Sequence, residues 1–246
     1  MPKRIGVVLP YRITDDLVSF VESTLDLPAN LEFAGAQDGL TDDELRELSR
    51  GVPPGSYAEI LSDGSTVYLT HECVAGNLGK HAWSLLDDGC DAVMICCTMD
   101  YPELDAIERV ITPSTVLKNS ALAILPEGGT LGVVQPLEDG KNFEIQHWQA
   151  FCRQHHLELS SVVAAPDVPG AEEESDEHMV ETVGQLVDQG ADVIALDCMA
   201  FTAKHHRLIA EATAKPTLRP MSLTASLVEE AFLITATGKL PTDESD

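Results

Sequence analysis

The 246-residue chain carries 41 Asp or Glu against 15 Lys or Arg, a formal net charge of -26 and a sequence pI near 4.4. That length buries a real core in one large or two ordinary domains, and no apolar run approaches the eighteen or so residues that cross a bilayer. An acidic chain with only seven lysines is excluded as a nucleic-acid or anionic-membrane binder, because phosphate recognition needs clustered cations. Scattered acids of this kind are expected of a protein working in concentrated salt, where like-charge repulsion is screened. MPKRIGVVLP passes into a strand-like run without the longer apolar segment of a signal peptide, so the expected compartment is the cytoplasm. Six cysteines without a CxxC point to reduced thiols rather than a disulfide scaffold or a zinc site.

In chain order, the apolar pattern predicts a strand over Arg4 to Leu9, a helix from Asp15 to Thr24 and a strand over Leu31 to Ala34. Thr41, with Glu44 three residues on, reads as a capping box opening a short helix. Alternation on either side of Asp63-Gly64 reads as a hairpin, followed by a helix from His71 to Asp88 and a buried strand from Ala92 to Cys96. Further strands are predicted over Leu131 to Val134, Leu159 to Ala164 and Val193 to Leu196, with helices over Phe143 to His155 and Glu177 to Asp188. The charged DVPGAEEESDE reads as a loop capping the latter helix. An extended run from Pro216 to Leu218 precedes a last helix from about Leu223 to Thr235.

LVDQGADVIALDC aligns without a gap on LLDDGCDAVMICC, 101 residues earlier, and LGVVQP echoes IGVVLP. The repeat predicts two tandem α/β units with mainly parallel sheets. The expected division is 1–112 with 213–246 for a discontinuous first domain and 113–212 for the second, with the active-site cleft between them. Cys97 and Cys198 end equivalent strands, at the edge where ligands of parallel sheets bind. A lone cysteine is usually a small buried hydrophobe. Two at matching strand ends instead suggest a facing pair, one thiolate removing a proton from carbon and one thiol supplying a proton on the opposite side.

Thr98 offers a hydroxyl and backbone N–H to a substrate carboxylate, Met199 only its backbone N–H; helix capping is the competing role. Arg12 in the loop after the first strand is the candidate carboxylate fork, against a solvated pairing with Asp15 or Asp16. Asp197 beside Cys198 would raise that thiol's pKa and make it the acid, leaving Cys97 as the base; alternatively it buttresses the loop. Asp100 and Tyr101 either line the cleft or cap and pack a short helix. Cys96 is expected in the strand core. His71, His81, His205 and His206 form no metal-ligand spacing, and the last two are expected on an ordinary helix surface. Gln135, Gln146 and Trp148 suit a domain contact or a pocket wall. No glycine pattern suggests a nucleotide, so neither cofactor nor metal is expected.

The pieces IGVVLPYRITD, AGAQDGLTDDEL, LSDGSTV, CCTMDYPEL, VVQPLEDG and GADVIALDCMAF together resemble the AroM family, within the aspartate/glutamate racemase superfamily. The resemblance implies two α/β domains related by pseudo-twofold symmetry, a site between them and cysteines at the positions of Cys97 and Cys198. It also carries over Arg12 and Asp15, with Tyr11 where the family usually has proline. Amino-acid racemases usually have Asn then Thr after the first cysteine, and Thr after the second. Here Thr98 follows Cys97 directly, as in maleate isomerases, and Asp197, Met199 and Ala200 surround Cys198. The expectation is therefore a cofactor-independent isomerase or racemase for a small carboxylate or related carbonyl acid. A decarboxylase or lyase in the same cleft and a non-catalytic small-anion binder are the alternatives, and a homo-oligomer stays open.

Overall fold

The computed structural model describes residues 3–25, 27–53, 57–136, 138–164 and 174–233. The chain runs through β1 (Arg4–Leu9), α1 (Asp15–Leu25), β2 (Asn30–Gly35), α2 (Asp42–Leu48), the hairpin β3 (Tyr57–Ile60) and β4 (Thr66–Leu69), α3 (His71–Asp87) and β5 (Ala92–Ile95). A short α4 (Pro102–Asp105), β6 (Val110–Ile111) and α5 (Pro113–Ile124) lead to β7 (Thr130–Gln135), α6 (Glu138–Gln154), β8 (Glu158–Ala164), α7 (Glu174–Asp188) and β9 (Val193–Leu196). The described chain ends with α8 (Ala203–Thr213), β10 (Thr217–Leu218), α9 (Pro220–Val228) and a π-helical turn over Glu229–Leu233.

Two parallel four-stranded sheets result, in the orders β2-β1-β5-β6 and β10-β9-β7-β8. The connectivity is the same in both, so the repeat seen in the sequence is a structural repeat. Its details recur as well. The Asp91 carboxylate accepts from the Arg4 backbone N–H at 3.0 Å, and the Asp192 carboxylate accepts from that of Thr130 at 3.0 Å. Each ties the start of a third strand to the start of its central neighbour. A Cβ on Gly6 would lie 2.9 Å from Leu85, and one on Gly132 3.0 Å from Leu186, so glycine lets a helix press onto each central strand.

Helices α5 and α9 are exchanged between the sheets. The first follows β6, yet its Leu117 and Ala121 pack with Leu131, Val133, Val193 and Ala195 of the second sheet. The second follows β10, yet Met221 packs with Val7, Leu9 and Met94, and Val228 with Ile5 and Ala92. Burying each large side chain contributes about 1.5–3 kcal/mol, so the exchange ties the halves together through apolar area.

Thr41 and Glu44 form the expected capping box, and β3 pairs with β4 around Gly64, whose φ is +82°. Four elements lie differently from the sequence pattern. Strand β6 and helix α5 were not foreseen, because a two-residue strand has no readable period. Helix α9 starts at Pro220, before the expected Leu223, since proline's fixed φ suits the first helical position. Strand β10 pairs with β9, so the chain leaves the second sheet at Arg219 rather than at 213. Thr235, and DVPGAEEESDE up to residue 173, lie outside the described residues. Among the described residues, no helix is long and apolar enough to cross a membrane.

Candidate active site

Both β5 and β9 are buried throughout, which delivers their next residues to the carboxyl edge of each sheet. Alternation then separates Cys96 from Cys97: Cys96 packs with Val7, Leu9 and Met94, while Cys97 packs on the opposite face with Tyr57 and Tyr101. Cys198 lies against Val134, Leu196 and Phe201. All three residues are half-buried.

Burial pushes the Cys198 thiol up to about 12, with the charges of Cys97 and Asp197 adding and the backbone N–H groups of Ala200 and Met199 opposing. Charge on either Cys97 or Cys198 also raises Cys96 and the Tyr11 hydroxyl, although burial is the larger cause for both. The ends of β1, β5 and β9 are thus brought within electrostatic reach of one another. Tyr11 as a whole remains 42% exposed, so the desolvation acts at its hydroxyl rather than along the ring. Met199, from the turn after Cys198, is buried among Val7, Leu9 and Met94 and keys that turn into the first sheet.

The surroundings of the two cysteines differ. The Tyr101 hydroxyl donates to Cys97 Sγ at 3.4 Å and is itself hydrogen-bonded to the Tyr57 hydroxyl. Tyr101 is fully buried, and desolvation with the nearby Cys97 charge pushes its pKa far up, so it stays a neutral donor. His71 stacks on Tyr101 with ring centroids 5.2 Å apart and planes at 15°, fixing the ring. A donor aimed at sulfur favours thiolate over thiol. Tyr57 and His71 carry no local signal of this role, since a tyrosine in an alternating strand and a histidine opening a helix are read simply as core and surface.

Asp197 is 4% exposed and accepts from Trp148 Nε1 at 2.6 Å, from Gln135 Nε2 at 2.5 Å and from the Thr98 hydroxyl. Burial pushes its carboxyl up to about 6 against those donors and Lys118, with the Asp100 charge adding to the rise. Lys118 is ion-paired with Asp100 and lies over the Trp148 ring, 5.4 Å from its centroid. Thr98 and Asp100, after the first cysteine, therefore engage Asp197 and helix α5 respectively. Gln135 and Trp148 serve as donors to Asp197.

Arg12 is occupied. Its Nη2 lies 2.7 Å from Asp42, its Nε 3.5 Å from Glu59, and its backbone N–H donates to Glu59 at 3.3 Å. Hydrogen bonds from Ser62 and Arg12 hold Asp42 down to about 2, whereas burial raises Glu59 despite Arg12. Asp15 and Asp16 are not its partners; Asp15 is exposed in the first turn of α1, where a negative charge complements the helix dipole. The loop is held by Asp38, which accepts from Ile13 N at 2.9 Å and Gly35 N at 2.7 Å. A Cβ at Gly35 would sit 2.2 Å from the Tyr11 carbonyl oxygen, so only glycine permits this approach.

The expected surface placement of His205 is corrected. It is 8% exposed and its Nδ1 accepts from Thr202 N at 3.0 Å, taking the place of Glu in a capping box. His206, half-buried, has its Nε2 2.8 Å from the Thr217 carbonyl oxygen. Among the described residues no cluster of three His, Cys, Asp or Glu is placed to hold a metal. Surface hollows between α7 and α8, and beside Glu22 and Asn30, are lined by neither cysteine.

Two like-connected parallel sheets of this kind match the racemase-like two-domain architecture of the solved structures to which the chain is similar. The chain is similar to allantoin racemase from Klebsiella pneumoniae, with TM-score 0.62 and 13% identity over 99% of this chain and 91% of that one. Unliganded arylmalonate decarboxylase gives 0.59 and 14% over 93% and 92%. Glutamate racemase from Francisella tularensis, in complex with D-glutamate, gives 0.55 and 15% over 100% and 86%. Comparison by sequence with curated proteins returns no match. The chain belongs to the AroM protein family, whose model matches residues 5–232.

Proposed function

We propose that this AroM-family protein is a cofactor-independent isomerase or racemase that moves a proton at carbon in a small carboxylate or related carbonyl acid. The Cys97 thiolate takes the proton from the carbon next to the carboxylate or carbonyl, forming S–H as the C–H pair moves into the conjugated oxygen system. Cys198, a thiol at the start, delivers its proton to the opposite face and becomes the thiolate. Two units, 1–112 with the C-terminal helix and 113 to the end of β10, would enclose the substrate between them; the exchanged packing of α5 and α9 supports that division. Thr98, Asp100, Asp197 and Met199 position the two turns, and Arg12 with Asp38 shapes the loop after β1.

The observation that carries this reading is the unequal pair at repeated positions. Cys97 receives a hydroxyl donor, whereas Cys198 is pushed up to about 12 by burial and neighbouring charge. These surroundings support Cys97 as the base and Cys198 as the acid. Decarboxylation is the second reading: a buried thiol such as Cys198 suits protonation of the carbanion left by carbon dioxide, and arylmalonate decarboxylase shares the fold.

A panel of 2-amino, 2-hydroxy and 2-aryl carboxylates incubated in deuterium oxide separates them by NMR. Deuterium at the carbon next to the carboxylate without loss of carbon supports the first reading, and release of carbon dioxide supports the second. An unlabelled, unconverted panel would count against both.

A further inference from the structure

Arg219 is a buried cation with no counter-ion among the described residues. It is 8% exposed, and its Nη1 is buried with no hydrogen-bond partner. Among the described residues no acid pairs with it, in a chain holding 41 acids. Four more exposed arginines are matched by acids, Arg4 by Glu32, Arg12 by Asp42 and Glu59, Arg46 by Asp63 and Arg50 by Glu47, whereas Arg109 and Arg153 donate to backbone carbonyls. A guanidinium removed from water without an anion is costly, and a carboxylate would readily have been supplied from so acidic a composition.

Its place in the fold suggests what completes it. Leu218 pairs with Ala195, so the next residue of β10 continues beside Leu196, two residues before Cys198. Arg219 thus stands at the carboxyl edge of the second sheet, the edge that also carries Cys198. It is the N-cap residue of α9, makes no side-chain capping bond, and precedes Pro220 at the first helical position. The first-turn N–H groups of this nine-residue helix add positive potential there.

We propose that Arg219 is the carboxylate-binding residue of this protein, its planar fork taking the two oxygens of a small carboxylate that enters at the edge of the second sheet. The role expected of Arg12 falls to Arg219 because the Arg12 fork is already held by Asp42 and Glu59. This rests on the small-carboxylate reading only for the identity of the anion; the charge deficit exists whatever the chemistry at the cysteines.

Isothermal titration and thermal melts with malonate and, separately, sulfate provide the test, on the wild type, R219Q, R219K and the double variant C97S/C198S. Malonate should bind the wild type and the double variant alike, with sulfate at least tenfold weaker. R219Q should lose at least tenfold in malonate affinity, while its melting temperature without anion is unchanged or higher, since an uncompensated charge has been removed. R219K, which keeps the charge without the fork, should fall between them and serves if R219Q does not fold.

Malonate affinity retained in R219Q, or retained in R219K when R219Q does not fold, overturns the proposal. So does a wild type that binds no malonate, or one that prefers sulfate, since a general oxyanion site would then be present. Malonate binding that depends on Arg219 in a protein that exchanges no carbon-bound proton would leave this inference standing and remove the isomerase reading.

Discussion

The turns after Cys97 and Cys198 occupy equivalent places in a repeated unit, yet they have been equipped in opposite ways. The first has its donor, Tyr101, backed from outside the repeat: the β3–β4 hairpin, with no counterpart among the described residues of the second unit, contributes Tyr57, which bonds the Tyr101 hydroxyl behind Cys97. The second replaces that hydroxyl with a buried carboxylate, Asp197, held by Trp148, Gln135 and Thr98. The comparison shows how a duplicated scaffold gives two like-placed thiols unlike surroundings. Equal strands place two thiols alike, and the neighbours then differ: Cys97 receives the Tyr101 hydroxyl, while burial and nearby charge raise Cys198.

Removing either sulfur should break the pair with the largest effect. C97A is expected to lower deuterium incorporation into a responsive carboxylate by about 10²–10⁴-fold, the usual worth of a positioned acid or base. C198A should block delivery to the opposite face yet leave exchange on the Cys97 side. Equal residual exchange and conversion in both variants would show that the two thiols do not divide the work.

A finer break removes only the donor. In Y101F the Cys97 thiol should be less ionised, and its alkylation by iodoacetamide at pH 7 should slow by about 10-fold, the worth of a charge-assisted hydrogen bond. Cys198 should be unaffected. A Y101F protein with an unaltered Cys97 profile would remove Tyr101 from the account.

On the other side, Asp197 should reveal itself in stability. Its folded-state pKa is raised to about 6 from an ordinary 3.8. Folding therefore favours the protonated form, a contribution fully present below about pH 4 and lost as pH rises through about 6. The melting temperature of the wild type minus that of D197N should accordingly fall between pH 4 and 6.5, and Cys198 in D197N should alkylate faster at pH 9. A constant difference across that range would contradict the raised carboxyl.

The smallest and least local effect concerns the surface that both halves share. With a formal charge of -26, screening should raise the melting temperature from low to molar salt at fixed pH. A flat or falling curve would reject the reading of the acidic composition as an adaptation to salt.

Much of the scaffold was legible because it depends on local pattern. The continuous apolar runs at Ala92–Ile95 and Val193–Leu196 are buried strands, and the 101-residue repeat places a cysteine just beyond each. Cys96 was readable as a core-facing neighbour from strand alternation alone. The partners of the site were not legible, because they come from distant segments. Nothing near Asp42 or Glu59 announces that they will take Arg12, and Trp148 meets Asp197 only when α6 packs on β7 and β8. The burial of His205 has no local signal, because a histidine at the third helical position does not resemble the Glu or Gln of an ordinary capping box. Arg219 was passed over for a related reason, since a single arginine before proline shows its missing partner only once it is buried.

The claim that the two cysteines are an unequal base and acid can be tested without knowing the substrate. Alkylation rates of Cys97 and Cys198 in the native wild-type protein, resolved by peptide mass spectrometry from pH 6 to 10, report each thiolate separately. Cys97 should react measurably near neutrality, with its rate levelling at a lower pH, while Cys198 stays slow and is still rising at pH 10, consistent with a pKa of about 12. A Cys198 that reacts at pH 7 as fast as Cys97, or faster, would contradict the assignment of acid and base.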